Sequence, residues 1–355
     1  GRTGFGHRRA GFPVADLPER GGQIMKKRRL WLIQFILCLG LIASVVLALN
    51  CGYSKIHFSA LWEEVFCSTQ GSSSLILLNI RLPRILLAAL CGMGLALSGC
   101  TLQAVTDNPL ADPGILGINS GAGFFVMLFM GLFPALHIDA KLYQPVFAMV
   151  GGLLTAFLLY SFARRNGKIR PTHFLLGGIG VAAGFSALMT ILGADMESSI
   201  YQMVSRWLVG NIWGTDWYQV LILLPYLIVL IPLLFLRANV LDLLLLGEDS
   251  AATLGVRVGH ERKLLLFVAA ALAASCVSVS GGIGFIGLVA PHIAQRLTGA
   301  RHRSLLLSSM LTGGILLVLA DTVGRVLLSE IEIPAGIIIS VLAAPYFLYL
   351  LRKQI

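Results

Sequence analysis

The amino-acid sequence predicts an all-α polytopic membrane protein with about ten transmembrane helices, on three observations. Of its 355 residues, 57% are hydrophobic and only 12% are charged, whereas soluble domains carry about a quarter charged residues. The mean hydropathy of +0.84 exceeds what a soluble core could hide, so lipid is the solvent for much of the surface. The apolar residues also fall in runs of about 20, the length that crosses a hydrocarbon core, and short polar connections divide them.

The first run, 30–50, follows the basic cluster Lys26, Lys27, Arg28 and Arg29. It is too long for a signal-peptide core and lacks a small-residue cleavage site, so it is expected to remain as a span. Residues 1–24 are polar and begin without Met. Met25, just ahead of the basic cluster, is the expected true start, with 1–24 a non-native or disordered extension and 25–355 the ten-helix domain. Runs at 82–105, 114–132, 143–163, 173–193 and 217–236 follow. The next two, 263–280 and 283–297, abut at Ser280-Gly281-Gly282 and are read as separate spans. Only then do the basic clusters at 262–263 and 296–303 share a face. Runs at 304–322 and 335–351 complete the set. The 39 glycines suit such a bundle, because small residues let membrane helices approach closely.

The net charge of +10 is a topology signal. Most Lys and Arg lie before the first run and around 164–170, 237–263, 296–303 and 352–353. Lys55, Arg81, Arg84, Lys141, Arg206 and Arg325 are left for the other side. The positive-inside rule puts the rich side in the cytoplasm, so both termini are expected there and nucleic-acid binding is set aside.

The cysteines form no C-x-x-C pair, which argues against a zinc or redox centre. Cys38, Cys91, Cys100 and Cys276 lie in apolar runs as small core residues. Cys51 and Cys67 share the first outer loop, where a disulfide could join them.

Enzyme chemistry finds little footing. There is no H-E-x-x-H, no serine in a nucleophile elbow and no G-x-x-x-x-G-K-[ST] phosphate loop. His292 reads as a hydrogen-bonded histidine at the inner end of its helix. Ion-coupled carriers keep ionisable groups mid-span, yet the charges here sit at helix ends, with Asp321 and Arg325 near the outer end of the ninth run. A pathway powered by something else is the better reading; an ion-coupled secondary carrier stays as the alternative from another class.

Two segments carry the most information. Residues 237–262 are too polar to span and alternate Leu243, Leu244, Leu246, Ala251, Leu254 and Val256 with Asp242, Glu248 and Asp249. Gly247 and Gly255 interrupt them, so two short surface helices are expected, and an apolar-and-acidic knob of this kind suits a partner's groove. Residues 81–123 open with Arg81, Pro83 and Arg84 at a helix mouth. The chain then turns through Asp107-Asn108-Pro109-Leu110-Ala111-Asp112-Pro113-Gly114.

These motifs resemble the permease subunits of type II ABC importers for iron–siderophore complexes, haem and vitamin B12. The resemblance rests on R-L-P-R at 81–84, Gln103 to Gly117, Gly247-Glu248 with Ala251 and Leu254-Gly255, Gly284 to His292, Ala320-Asp321 with Arg325, and Glu332-Ile333-Pro334 with Gly336. It implies a homodimeric permease in the inner membrane. Two ABC ATPase subunits are expected below and an extracytoplasmic substrate-binding protein above. Arg81, Arg84 and Arg325 match arginines that dock the binding protein. Asn108 and Leu110 match a cytoplasmic gate, and Thr172 maps to a second gate between Pro171 and His173. Gly247, Glu248, Ala251, Leu254 and Gly255 match the segment seated in the ATPase grooves, within a 237–262 coupling loop. No metal or cofactor is expected on this chain, ATP being used by the partner subunits. The expected cargo is a ferric-siderophore-type chelate, with haem or cobalamin as alternatives.

Overall fold

The computed structural model describes residues 20–51, 77–136, 140–165, 168–169, 171–327 and 332–354. Helix α1 (Arg20–Asn50) is followed by a π-helical turn, Leu77–Arg81, that runs into α2 (Leu82–Thr106). Next come α3 (Ile118–Leu136), α4 (Ala140–Ala163), α5 (Pro171–Ala194), α6 (Ser198–Leu208) and α7 (Trp217–Leu236). Two short helices follow, α8 (Ala238–Leu244) and α9 (Glu248–Thr253). The chain ends with α10 (Val258–Ser280), α11 (Ile286–Thr298), α12 (His302–Leu327) and α13 (Ala335–Gln354). Between α4 and α5 the strands β1 (Arg164–Arg165) and β2 (Lys168–Ile169) pair antiparallel, Arg164 opposite Ile169.

Every apolar run of the sequence carries a helix. Among the described residues, α1, α2, α4, α5, α7, α10 and α12 are long and apolar enough to cross a membrane, and α3 and α13 hold shorter apolar stretches. The run at 283–297 departs from expectation. Gly281 (φ 74) stops α10 and Phe285 (φ 66) delays the next helix, so α11 has only 13 residues. At 1.5 Å per residue that is about 20 Å, too short to cross alone. The first helix also starts earlier than expected: α1 begins at Arg20, so residues 20–24 of the expected extension continue it. Residues 1–19 and Cys67 lie outside the described residues.

Burial, not hydropathy, separates centre from periphery. The most apolar stretches of α2, α5 and α10 have the same mean hydropathy of 2.0, yet 83% of that stretch is buried in α2 and α10 and only 11% in α5. Helix α2 is therefore the axis of the bundle. It packs on α12, α10 and α11, with α7 and α8 also against it. Two glycine contacts set those approaches. A Cβ on Gly92 of α2 would lie 2.3 Å from the Gly313 carbonyl oxygen of α12, and one on Gly99 would lie 1.9 Å from that of Gly287 in α11. Backbones touch at these points because no side chain intervenes, as helices packing in lipid require. Ser98 Oγ then donates to the Ala269 carbonyl of α10 at 2.7 Å, a hydrogen bond inside the core.

Candidate functional site

Three regions of the bundle carry polar chemistry, beginning with an arginine cluster. The π-turn and Pro83 at the start of α2 bring Arg81 and Arg84 side by side one turn apart, and α12 supplies Asp321 and Arg325. Arg84 donates from Nη2 to Asp321 Oδ1 at 2.9 Å and from Nε to both carboxylate oxygens at 3.1 and 3.2 Å. Its Nη1 donates to Glu332 Oε2 at 2.9 Å. Arg325 Nε stands 3.2 Å from Asp321 Oδ2, so Asp321 bridges two guanidiniums. The remaining donors close the end of α1: Arg81 Nη1 to the Leu49 carbonyl at 2.9 Å and Arg325 Nη2 to that of Ala48 at 3.3 Å. Cations suit that position, where the last carbonyls of a helix have no partner within it. The three arginines expected to dock a partner are thus brought together, but they are largely buried and they face carboxylates and carbonyls of this chain. Asp321 and Glu332, their counter-ions, were visible in the sequence as motif letters without a charge partner assigned.

The second region lies at the opposite end of α12. From His302 to Asp321 that helix rises about 28 Å, at 1.5 Å per residue. There Asp242 of α8 accepts from the His302 backbone N–H at 2.8 Å and lies 2.7 Å from its Nδ1. This carboxylate caps the start of α12 from another element, where the helix dipole favours a negative charge. Neither residue's role was read from the sequence, since they stand 60 positions apart. Helices α8 and α9 meet at Gly247 (φ 95), and α9 ends at Gly255 (φ 88). A Cβ at either would meet nothing within 4 Å, so these glycines serve the left-handed backbone and not a tight contact. Glu248 pairs with Arg262 and Arg237 with Glu261 at 2.6 Å. Ala251 is fully buried beneath this frame, while Leu246 and Leu254 are 60% and 61% exposed. The segment is held by charge pairs and shows an apolar tip.

Between these ends the interruptions of several helices converge. The α2–α3 connection, the α10–α11 break, the end of α6 and the start of α13 line an open cavity of about 490 Å³, with Asp112, Asn119, Val209, Phe285, Gly336 and Ser340 among its lining. Asp112 Oδ1 accepts from Gly114 N–H at 2.8 Å. Burial pushes its carboxyl up to about 6, against the pull of backbone N–H groups of Gly114, Ile115, Leu288 and Phe285. Asn119 Nδ2 donates to the Ile283 carbonyl at 3.3 Å. Helix α6, which falls outside the apolar runs of the sequence, supplies Leu208 to this wall.

The expected gate residues are less united. Asn108 follows Asp107, whose φ of 48 ends α2. Its Oδ1 accepts from Leu110 N–H at 2.9 Å, so Asn108 and Leu110 form one turn, tied back by the bond from Asn108 N–H to the Gln103 carbonyl at 3.0 Å. Thr172 stands in the first turn of α5, and its side chain lies outside those described. His292 meets Tyr346 of α13 edge-on, ring centres 5.8 Å apart.

Comparison with known proteins agrees with this architecture. The iron(3+)-hydroxamate import system permease protein FhuG of Bacillus subtilis (strain 168) is 42% identical over 311 residues, covering 86% of this chain and 92% of that protein. The hemin transport system permease protein HmuU of Yersinia pestis is 38% identical over 321 residues, covering 88% and 94%. A solved structure described as an inward-facing conformation of a metal-chelate type ABC transporter superposes with a TM-score of 0.78 at 31% identity, covering 91% of this chain and 99% of its own. The model of the FecCD transport family matches residues 40–353, from within α1 to the last turn of α13, and the chain belongs to that family.

Proposed function

We propose that this chain is the transmembrane permease subunit of an ABC importer, carrying a ferric-siderophore-type chelate inward across the inner membrane. The observation that carries this reading is the α8–α9 pair, a charge-pinned element with Leu246 and Leu254 exposed at its tip, on a chain of the FecCD family. An element so held is suited to transmit force from an ATPase groove into α12, which Asp242 ties to it through His302. Hydrolysis of ATP belongs to two partner subunits, with no ATPase site or bound cofactor on this chain. All ten apolar runs cross or enter the membrane with both termini in the cytoplasm, as the basic clusters require.

A second copy completes the path. Helix α5 offers Gly180 and Gly184 with open space around each, the small-residue spacing along which membrane helices pack. The substrate-binding protein docks at the arginine end, whose rim Arg81, Arg84 and Arg325 hold in shape. The turn at Asn108 and Leu110, with Thr172, forms the cytoplasmic gate. Relatives named for hydroxamate, ferric citrate, haemin and cobalamin import set the cargo class, and haem or cobalamin is the alternative cargo.

The test is uptake of a labelled ferric hydroxamate by proteoliposomes holding the chain, its ATPase and its binding protein. Substituting the ATPase's catalytic carboxylate should abolish uptake. Uptake that survives this change but collapses with the proton gradient would establish an ion-coupled carrier instead.

A further inference from the structure

The two carboxylates on Arg84 differ in kind. The Asp321 side chain is 3% exposed, grips the guanidinium through three close contacts and also meets Arg325. The Glu332 side chain is 43% exposed and holds Nη1 through one bond at 2.9 Å. It sits on an irregular segment, 332–334, outside any helix. A single ion pair open to water is worth little and exchanges readily, whereas breaking the buried pair strands a charge. An incoming carboxylate would therefore take the Glu332 position and leave Asp321 in place.

The Glu332 segment also joins the arginine end to the cavity. Ile333 N–H donates to the Gly324 carbonyl of α12 at 3.2 Å, and Gly336 N–H to the Gly210 carbonyl at 3.3 Å. A Cβ on Gly336 would stand 2.1 Å from the Val209 carbonyl oxygen, so the start of α13 rests directly on the end of α6. Four residues of α13, Gly336, Ile337, Ser340 and Val341, line the cavity.

We propose, on the reading that the arginine end is the docking face, that Glu332 is an internal stand-in for a carboxylate of the substrate-binding protein. On docking, the partner's carboxylate replaces Glu332 at Nη1 of Arg84. The freed 332–334 segment then releases the α13 wall of the cavity. Docking is thereby coupled to access by the exchange of one ion pair, with Asp321 keeping Arg84 oriented throughout.

The test uses the full transporter, chain and ATPase together in nanodiscs, titrated with its substrate-binding protein. E332Q keeps the size of the side chain but removes the competing charge. It should tighten docking about two- to fivefold, the worth of an exposed ion pair. E332A should do the same if the amide disturbs the segment. With S340C as a reporter, at a half-buried position of the α13 wall, E332Q should label with a maleimide severalfold faster in the absence of binding protein, as the transporter with native Glu332 does when docked. Equal or weaker docking by E332Q and E332A, with R84Q still impairing it, would overturn the exchange and leave the docking face intact. Docking indifferent both to R84Q and to salt would overturn the docking face, and the exchange with it. Tighter docking with an unchanged S340C rate would overturn the relay to the cavity.

Discussion

The two ends of the bundle solve opposite problems with the same residue types. At the arginine end the charges are turned inward: Arg84, Asp321 and Arg325 are packed among α1, α2 and α12, and the carbonyls of Ala48 and Leu49 use up further donors. At the α8–α9 end each ion pair keeps one partner about a third exposed, Glu248 or Arg237, and it is the apolar side chains, Leu246 and Leu254, that face out. A buried bridge of opposite charges fixes a shape, because any rearrangement must first expose an unpaired ion. An exposed leucine between rim charges fixes nothing in its own chain; its burial waits for a partner. The first end should therefore be read out in stability and the second in assembly.

The sharpest way to break that contrast is Asp321→Asn. The amide cannot balance Arg84 and Arg325, and only the half-exposed Glu332 remains as a counter-charge among the described residues. Removing one partner of a buried ion pair costs about 3–5 kcal/mol. Thermal unfolding in mild detergent should show a large fall in midpoint and in recovered, monodisperse protein. A D321N protein as stable as the parent would mean that the cluster is not a structural bridge.

Gly99→Ala tests the middle of the bundle, where neither end's logic applies. The added methyl would lie 1.9 Å from the Gly287 carbonyl oxygen, and backbone cannot swing aside as a side-chain tip can. Overpacking of this kind costs about 1–3 kcal/mol. The same thermal assay should place G99A below the parent, nearer to it than D321N. An unshifted midpoint would show that α11 moves away from α2 at no cost.

The pair Glu248–Arg262 should matter less. The Glu248 side chain is 36% exposed although that of Arg262 is only 12%, and a pair with one partner in water is screened toward the roughly 0–1 kcal/mol of surface pairs. A double-mutant cycle with E248Q and R262Q on the thermal midpoint should return a coupling in that range. A value several times larger would place the α8–α9 end in the same class as the arginine end and erase the contrast.

Much of this was legible before any coordinates, for physical reasons that also mark where legibility stops. Apolar runs of spanning length locate helices because lipid tolerates little else, and each run proved to carry one. Helix α11 alone stops well short of its run's expected span, for the reason visible in Gly281-Gly282: a backbone break consumes the residues a full-length helix would need. Positive-φ glycines announced the α8–α9 pair because glycine takes that conformation without strain. Partnerships were another matter. Arg84 with Asp321 is a contact across 237 positions and Asp242 with His302 one across 60, and no local pattern encodes such pairs. The arginines were therefore expected to face a partner when their first partners are internal. Helix α6 lies outside every run of spanning length because its 11 residues are amphipathic, with Ile200, Met203, Val204 and Trp207 at helical spacing, a pattern distinct from that of a span.

Leu254→Asp should have the smallest effect on the fold and the largest on assembly. Leu254 caps the C-terminal end of α9 and is 61% exposed, so a carboxylate there is solvated in the isolated chain. Exposed substitutions of this kind stay within about 0.5 kcal/mol, and the thermal midpoint should barely move. Seated in a partner's apolar groove, however, the same carboxylate would be desolvated without a counter-charge, at a cost of about 2 kcal/mol or more. Co-purification with the ATPase subunit should fall sharply while insertion, yield and midpoint are unchanged, and Leu246→Asp should behave alike because it shares the exposed tip. If L254D unfolds the chain, the tip is part of the bundle's own core. If L254D and L246D retain the ATPase in full, the α8–α9 end is not the surface that ATPase uses. Only loss of the partner with the fold intact supports the division of labour between the two ends.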